Sequence, residues 1–525
     1  MTPSFDYIIV GAGTAGCVLA ARLTEDAGVR VLLLEAGGED RAMEIRVPAA
    51  FSKLFKSEVD WNYATEPEPH LNGRQLYWPR GKVLGGSSAI NAMIYIRGNR
   101  LDYEYWKSLG NDGWGYDDVL PYFLKSEKQE RGASQYHGGD GPQCIGDLRY
   151  VNPLTRAFLS GAEELGIPRN EDFNAETQEG AGLYQVTQRS GRRWSAADGY
   201  LKPARKRANL TVATQAHATR VLLDGTRATG VEYISNGQTV QERAEREVIL
   251  AGGAINSPQL LLLSGIGPAE ELKLAGVQVV ADVPGVGKNL QDHPMVSVGY
   301  LCTKPVSMAS AESIGNFLRY ALFRAGPLAS NVAEAGVFAR TRSGIDVPDL
   351  QVLFGPAYYV NHGFDTCKEH CFGFGPTLIT PESHGEITLR SANPMAAPKI
   401  HANYLSTEQD LRTIVEGVRL CRRIAASRAF APYRGDELLP GKQITSDAEL
   451  GQFVRGALQT LYHPAGTCKM GVDDMAVVDP QLRVRSIERL RVVDASIMPR
   501  VTAGNTNAPT LMIAERAADL IKARA

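Results

Sequence analysis

The sequence predicts an α/β protein: a mostly parallel sheet carrying a dinucleotide site, joined to a second region built on an antiparallel sheet flanked by helices. Three observations predict this. An apolar, β-branched run meets a glycine-rich turn and a helical pattern within the first 35 residues. Strand–glycine–helix junctions recur near residues 250 and 505. Between about 306 and 458 the pattern changes to period-2 strands mixed with helices.

Tyr7–Val10 reads as a buried strand feeding into Gly11-Ala12-Gly13-Thr14-Ala15-Gly16. Cys17, Ala20, Ala21 and Leu23 then give a short helical pattern, and the apolar run Val29–Leu34 ends at Glu35. In such a βαβ unit Gly11 permits the tight turn and Gly13 lets the backbone approach a pyrophosphate. Gly16 lets the helix pack closely on the sheet, and the helix start offers free N–H groups to the anion. Glu35 stands 19 residues beyond Gly16, where an acid accepts hydrogen bonds from a ribose 2′-OH. All parts occur in order, which favours a Rossmann-type site over a glycine-rich turn.

A chain of 525 residues exceeds what one core supports, so two domains are expected. The 44% hydrophobic and 22% charged residues are ordinary for a globular protein. The net charge of −2 gives no reason to propose nucleic acid or an anionic membrane as partner. Met1–Tyr7 leaves no room for a signal peptide, and no apolar stretch approaches the ~20 residues that span a bilayer. A cytoplasmic location is expected, with peripheral attachment to the inner face of a membrane left open. The seven scattered cysteines suit reduced thiols. Cys367, His370 and Cys371, with His362, lack the spacing of a zinc site, and no metal is expected.

Trp78–Ala92 packs paired glycines and serines into a stretch suited to wrap a phosphate or a flat ring, and equally compatible with a surface loop. Residues 102–125 read as helical. Residues from about 132 to 199 are loop-rich, the character of a covering insertion. Strands are expected around Leu210–Val212, Arg220–Leu223 and Gly230–Tyr233. A further strand, Glu247–Leu250, meets Gly252-Gly253, with a helix opening at Ser257-Pro258. Asp282–Pro294 reads as a structured link in which His293 is a hydrogen-bonded structural residue. Gly385–Leu389 reads as a strand and Glu408–Ala426 as a helix. His463 can accept a proton near neutral pH, and Pro464 fixes its backbone, although a His-Pro in a loop is more often structural. Leu490–Val493 reads as a strand ending in Asp494-Ala495, and Pro509 opens the last helix just after Asn507.

In combination and order, Gly11–Gly16 with Glu35, Arg80–Asn91, Gly252–Gly267, Pro284–Pro294, His463–Gly471 and Asn505–Thr510 resemble the glucose–methanol–choline (GMC) family of FAD-dependent oxidoreductases over nearly the whole chain. The resemblance implies a discontinuous FAD-binding domain (1–150, 205–305 and 460–525) and a substrate-binding domain (151–204 and 306–459). It matches His463 to the catalytic histidine and Asn507, 44 residues on, to the second active-site position. FAD would be bound by Gly11, Gly13, Thr14, Ala15, Gly16, Glu35, Ala36, Val83, Gly86, Asn91, Ala92, Met93, Ala218, Ala251, Asp494, Ala495, Asn507, Pro509 and Thr510. Some members attach FAD through a histidine in the Gly85–Asn91 loop; Ile90 stands there, so a non-covalent, dissociable FAD is expected.

The implied reaction oxidises a primary alcohol to the aldehyde. His463 takes the hydroxyl proton, hydride passes to flavin N5, and Asn507 positions the oxygen. Glu334, Tyr462, His463 and Asn507 are the expected substrate residues, with a neutral alcohol ahead of choline because Val332 and Ala333 stand where aromatics would serve an ammonium. Electrons would pass to a quinone or other acceptor. An oxidase yielding hydrogen peroxide, a choline dehydrogenase, a lyase or photodecarboxylase and a silent flavin module are the alternatives, and homo-oligomerisation is left open.

Overall fold

The computed structural model describes residues 5–523; Met1–Ser4, part of the expected amino-terminal start, lie outside the described residues. The first sheet has five parallel strands in the order Leu210–Ala213, Val31–Leu34, Phe5–Val10, the end of Gln238–Leu250, and Leu490–Val492. Val10 pairs with both Leu34 and Leu250, so three strands stop at one level and their following loops open on one edge. That edge is where ligands of open α/β sheets bind. The long strand Gln238–Leu250 changes character along its length. Its polar beginning pairs antiparallel with Arg227–Ser235, which pairs with Ala216–Asp224, while Val248–Leu250 is buried between parallel neighbours.

The second sheet is antiparallel, in the order Arg434–Leu439, Val298–Cys302, Cys371–Leu378, Leu350–Gly355, Ala335–Ala339 and Gly180–Leu183. The helix Glu408–Ala425, capped by the Thr407 hydroxyl and burying Ile414, Val418 and Cys421, lies over this sheet, as does Pro153–Glu164. Phe158, Phe354, Phe372, Phe374 and Phe430 stack within this core.

Some local expectations are corrected. Residues 102–125 form two helices, Arg100–Ser108 and Tyr116–Ser126, because Gly110 and Gly113 take left-handed φ of +86° and +82° between them. The helix after Leu250 begins at Gly253, ahead of Ser257-Pro258. Glu386–Thr388 pairs with Lys399–His401 in a separate two-stranded ribbon.

Candidate active site

One long cavity runs from the glycine turn at the edge of the parallel sheet to the face of the antiparallel sheet. At its first end the glycines are needed sterically. A Cβ on Gly16 would stand 1.9 Å from the Gly11 carbonyl oxygen, and one on Gly11 would stand 2.6 Å from that of Ala251. Gly86 crosses the turn so closely that its Cβ would lie 2.7 Å from the Gly13 Cα. The helix Thr14–Leu23 has no side-chain cap, so its first amides are left for an anion.

Glu35 lines the same end. Its Oε2 accepts from Ala12 N at 2.9 Å and its Oε1 from Gly37 N at 2.8 Å. Burial nevertheless pushes its carboxyl up to about 7. Asp494 also lines the cavity, but it is engaged by Gly253 N at 2.8 Å, Ser257 Oγ at 2.5 Å and Ser496 N at 2.8 Å.

At the far end, Tyr462-His463 is strapped to Gln291-Asp292-His293. Leu461 N donates to His293 O at 2.8 Å, His463 N to Asp292 Oδ1 at 2.7 Å, and Ala465 N to Gln291 O at 2.9 Å. The Asn505 Nδ2 amide lies 3.1 Å from His463 Nε2, and His463 Nδ1 lies 3.0 Å from His293 Nδ1. An amide N–H can only donate, so Nε2 is the acceptor, and the ring proton sits on Nδ1 and is given to His293. Burial, then His293 and Arg80, holds His463 well below the ordinary histidine range, and burial takes His293 down to about 3. His463 is therefore neutral, with its basic nitrogen on the cavity side. Asn507 Oδ1 accepts from Thr14 Oγ1 at 2.8 Å, which leaves its Nδ2 as the donor it can offer.

Aromatic rings line this end: Phe51 and Tyr359 lie 5.9 Å apart, and Phe55 and Tyr462 lie 5.6 Å apart. The Tyr462 hydroxyl meets Tyr359 Oη at 2.9 Å and His362 Nδ1 at 2.8 Å, and Arg80 donates to the Tyr462 carbonyl at 2.7 Å. Three non-glycine residues of the lining, Met93, Val332 and Tyr462, have left-handed φ of 60°, 69° and 72°. Each such residue costs about 1–3 kcal/mol, and such strain gathers at functional sites.

Most expected site residues lie along this one cavity, including Ala36, Asn91, Ala92, Met93, Ala218, Ala251, Ala495 and Thr510. Gly16, Val83 and Pro509 do not line it. Gly16 packs helix on strand, and Val83 is buried in an apolar cluster with Phe51 and Ile90. Pro509 is buried in the first turn of the helix Asn507–Lys522. Glu334 is a clear correction. It is fully buried, with Oε2 accepting from Asn152 N at 2.8 Å and Thr155 Oγ1 at 2.6 Å, and Oε1 from Ser330 Oγ at 2.7 Å. It pins the start of the helix Pro153–Glu164, while Val332 and Ala333 alone of that stretch face the cavity.

Sequence reasoning gave no individual role to Asn505, Asp292, Arg80 and Tyr359, although Arg80, Asp292 and Asn505 lie in stretches that carried the family resemblance. His362 and His370 bond to Tyr462 and Ser307, and among the described residues no cluster of three or more metal-ligating side chains forms.

A glycine turn beneath an uncapped helix, a buried acid 19 residues on, and a neutral histidine facing the same cavity define a dinucleotide-dependent oxidoreductase. Models of the GMC oxidoreductase family match residues 5–295 and 381–514, and the chain belongs to that family. It is 48% identical to mitochondrial choline dehydrogenase of Mus musculus, over 99% of this chain and 89% of the relative. It is 46% identical to an alcohol dehydrogenase [acceptor] of Pseudomonas putida, over 98% and 95%. The solved pyridoxine 4-oxidase from Mesorbium loti superposes with a TM-score of 0.91 at 36% identity, covering 98% of this chain and 99% of that one. The protein is an FAD-dependent oxidoreductase acting on CH–OH donors. No helix among the described residues is long and apolar enough to cross a membrane.

Proposed function

We propose that the protein oxidises a neutral primary alcohol to its aldehyde and passes the electrons to a quinone or other acceptor. The observation that carries this reading is the neutral His463 on the cavity wall, its Nε2 accepting from the Asn505 amide and its Nδ1 proton held by His293. His463 Nε2, released from the Asn505 amide as the alcohol binds, takes the hydroxyl proton, and Asn507 and Asn505 hold the alcohol oxygen with their amide donors. As the proton arrives, the imidazolium forms beside a neutral His293 rather than a second cation. The aromatic wall excludes water from the reacting carbon. Bound FAD supplies the hydride acceptor.

Several features fit the cofactor: the open helix start at Thr14, Glu35 as acceptor for the adenosine ribose, and Gly86 held close to Gly13. Ile90 lines the cavity and carries no nucleophile, which supports a non-covalent FAD. The division into an FAD-binding and a substrate-binding domain is part of the same reading.

The substrate class follows from the lining. Among the described residues its only carboxylates are Glu35 and Asp494, both hydrogen-bonded by neighbouring groups, so neither of them offers His463 an acid to receive a cation. A second reading, choline, is favoured by the aromatic lining and by relatives named choline dehydrogenase. An oxidase is the alternative supported by the pyridoxine 4-oxidase likeness. Anaerobic flavin bleaching by choline and by its uncharged isostere 3,3-dimethylbutan-1-ol separates the substrate readings. The neutral alcohol is expected to be at least as efficient; a preference for choline of ~10-fold or more, equal to about 1.4 kcal/mol of cation recognition, overturns this assignment.

A further inference from the structure

The helix Ile314–Phe323 (Ile-Gly-Asn-Phe-Leu-Arg-Tyr-Ala-Leu-Phe) turns its apolar side outward. Ile314, Phe317, Leu318, Leu322 and Phe323 are 80%, 51%, 53%, 72% and 70% exposed. The spacing of Ile314, Phe317, Leu318 and Leu322 places these four in one stripe along the helix, and Phe323 extends the exposed apolar surface at its end. The only buried residue of the helix is Tyr320, whose hydroxyl reaches the carbonyl oxygens of Gly191 at 3.1 Å and Arg46 at 3.2 Å. Scattered single apolar residues on a surface need no explanation, but five large ones on ten residues mark a docking face.

The charge around the stripe says what covers it. Arg319 and Arg324 stand on and just beyond the helix, the Arg324 guanidinium lies 5.0 Å from the centre of the Tyr320 ring, and neither arginine has a salt-bridge partner among the described residues. The helix contains no acid. Glu312, just ahead of it, is neutralised by Lys53 at 2.6 Å. An apolar helix face edged by unpaired arginines is complementary to a bilayer bearing anionic headgroups. A second copy of the chain is a poorer match, because a two-fold contact across this helix would face arginines with arginines. The net charge of the whole chain conceals this local patch.

We propose that Ile314–Phe323 is a monotopic docking helix by which the protein rests on an anionic lipid surface. The face is continuous with the site. Pro327–Ala329, the next turn of chain, packs against Pro48–Leu54, whose Phe51 lines the cavity. Membrane-dissolved alcohols or quinones would therefore meet the protein beside its cavity, a consequence that rests on the proposed reaction, whereas the docking itself does not.

The test is co-sedimentation of the holoenzyme with vesicles of phosphatidylcholine alone or with 30% phosphatidylglycerol. The protein should pellet with the anionic vesicles and be released by salt. Leu322→Glu/Phe323→Glu should cut the bound-to-free ratio by ~10-fold or more, and Arg319→Gln should lower it less. Both variants alter exposed side chains, so flavin content and reduction by a water-soluble alcohol should stay unchanged. Failure of the wild type to pellet, or undiminished pelleting of the double variant, overturns the proposal. So does a wild-type dimer that ignores vesicles and becomes a monomer in the double variant.

Discussion

The clearest consequence of the site's electrostatics concerns Glu35. Burial holds its carboxyl at about 7, against an ordinary value of 4.5, despite the N–H groups of Ala12 and Gly37. In the proposed cofactor site an ionised Glu35 would hold the ribose hydroxyls, so that acceptor is present above pH 7 and is lost as pH falls through 7. Between pH 8 and pH 6 the ionised fraction drops from about nine-tenths to about one-tenth, a factor of ~10 or roughly 1.4 kcal/mol. Apoprotein titrated with FAD by flavin fluorescence should therefore show a Kd about tenfold weaker at pH 6 than at pH 8. His217, also on the lining, is held below its usual range by burial. Glu35→Gln should bind weakly and flatten the dependence. A wild-type Kd that does not change over this interval, or a slope that survives in Glu35→Gln, refutes the reasoning.

Two further outcomes follow from the geometry. His463→Ala should retain FAD and slow alcohol-driven flavin reduction by ~10²-fold or more in stopped flow, as loss of a general base does. Glu334→Ala should lower stability by about 3 kcal/mol in denaturant titration, since it strands two hydroxyls and an N–H in the interior, with kcat/KM for alcohol unchanged. A large rise in KM for that variant would restore the substrate role that its burial argues against.

The amino-terminal half of the site was legible because its chemistry is local. Gly16 answers the Gly11 carbonyl five residues back and Gly11 the end of the adjacent strand, and Glu35 follows at the spacing of one βαβ unit. Residues that converge from distant segments were not legible. Asn505 matters because it touches His463, and His293 because it lies across from it, contacts that no periodicity reveals. Glu334 misled for the opposite reason. Its surroundings in sequence suggested the cavity, but the left-handed bend at Val332 leaves Val332 and Ala333 facing the cavity, while the carboxylate reaches a helix start instead. The apolar helix Ile314–Phe323 escaped notice because ten residues of mixed pattern look like core until the fold leaves them outside.

The chain's two ends meet at the cavity for a physical reason. The helices Thr14–Leu23 and Asn507–Lys522 run side by side in the same direction. They are joined at their starts by Thr14 and Asn507, at the last turn of the first helix by Arg22 to Glu515 at 2.7 Å, and just beyond it by Glu25 to Lys522 at 2.8 Å. Parallel packing adds their dipoles instead of cancelling them, and neither helix has a side-chain cap at its start. An omitted cap costs each helix about 1 kcal/mol. On the proposed function that expense is recovered when negative charge arrives: a pyrophosphate at one start, and at the other the charge that develops as a substrate gives up its proton and hydride. The same arrangement that makes the empty protein less stable thus biases the filled one toward the charged species its reaction must pass through.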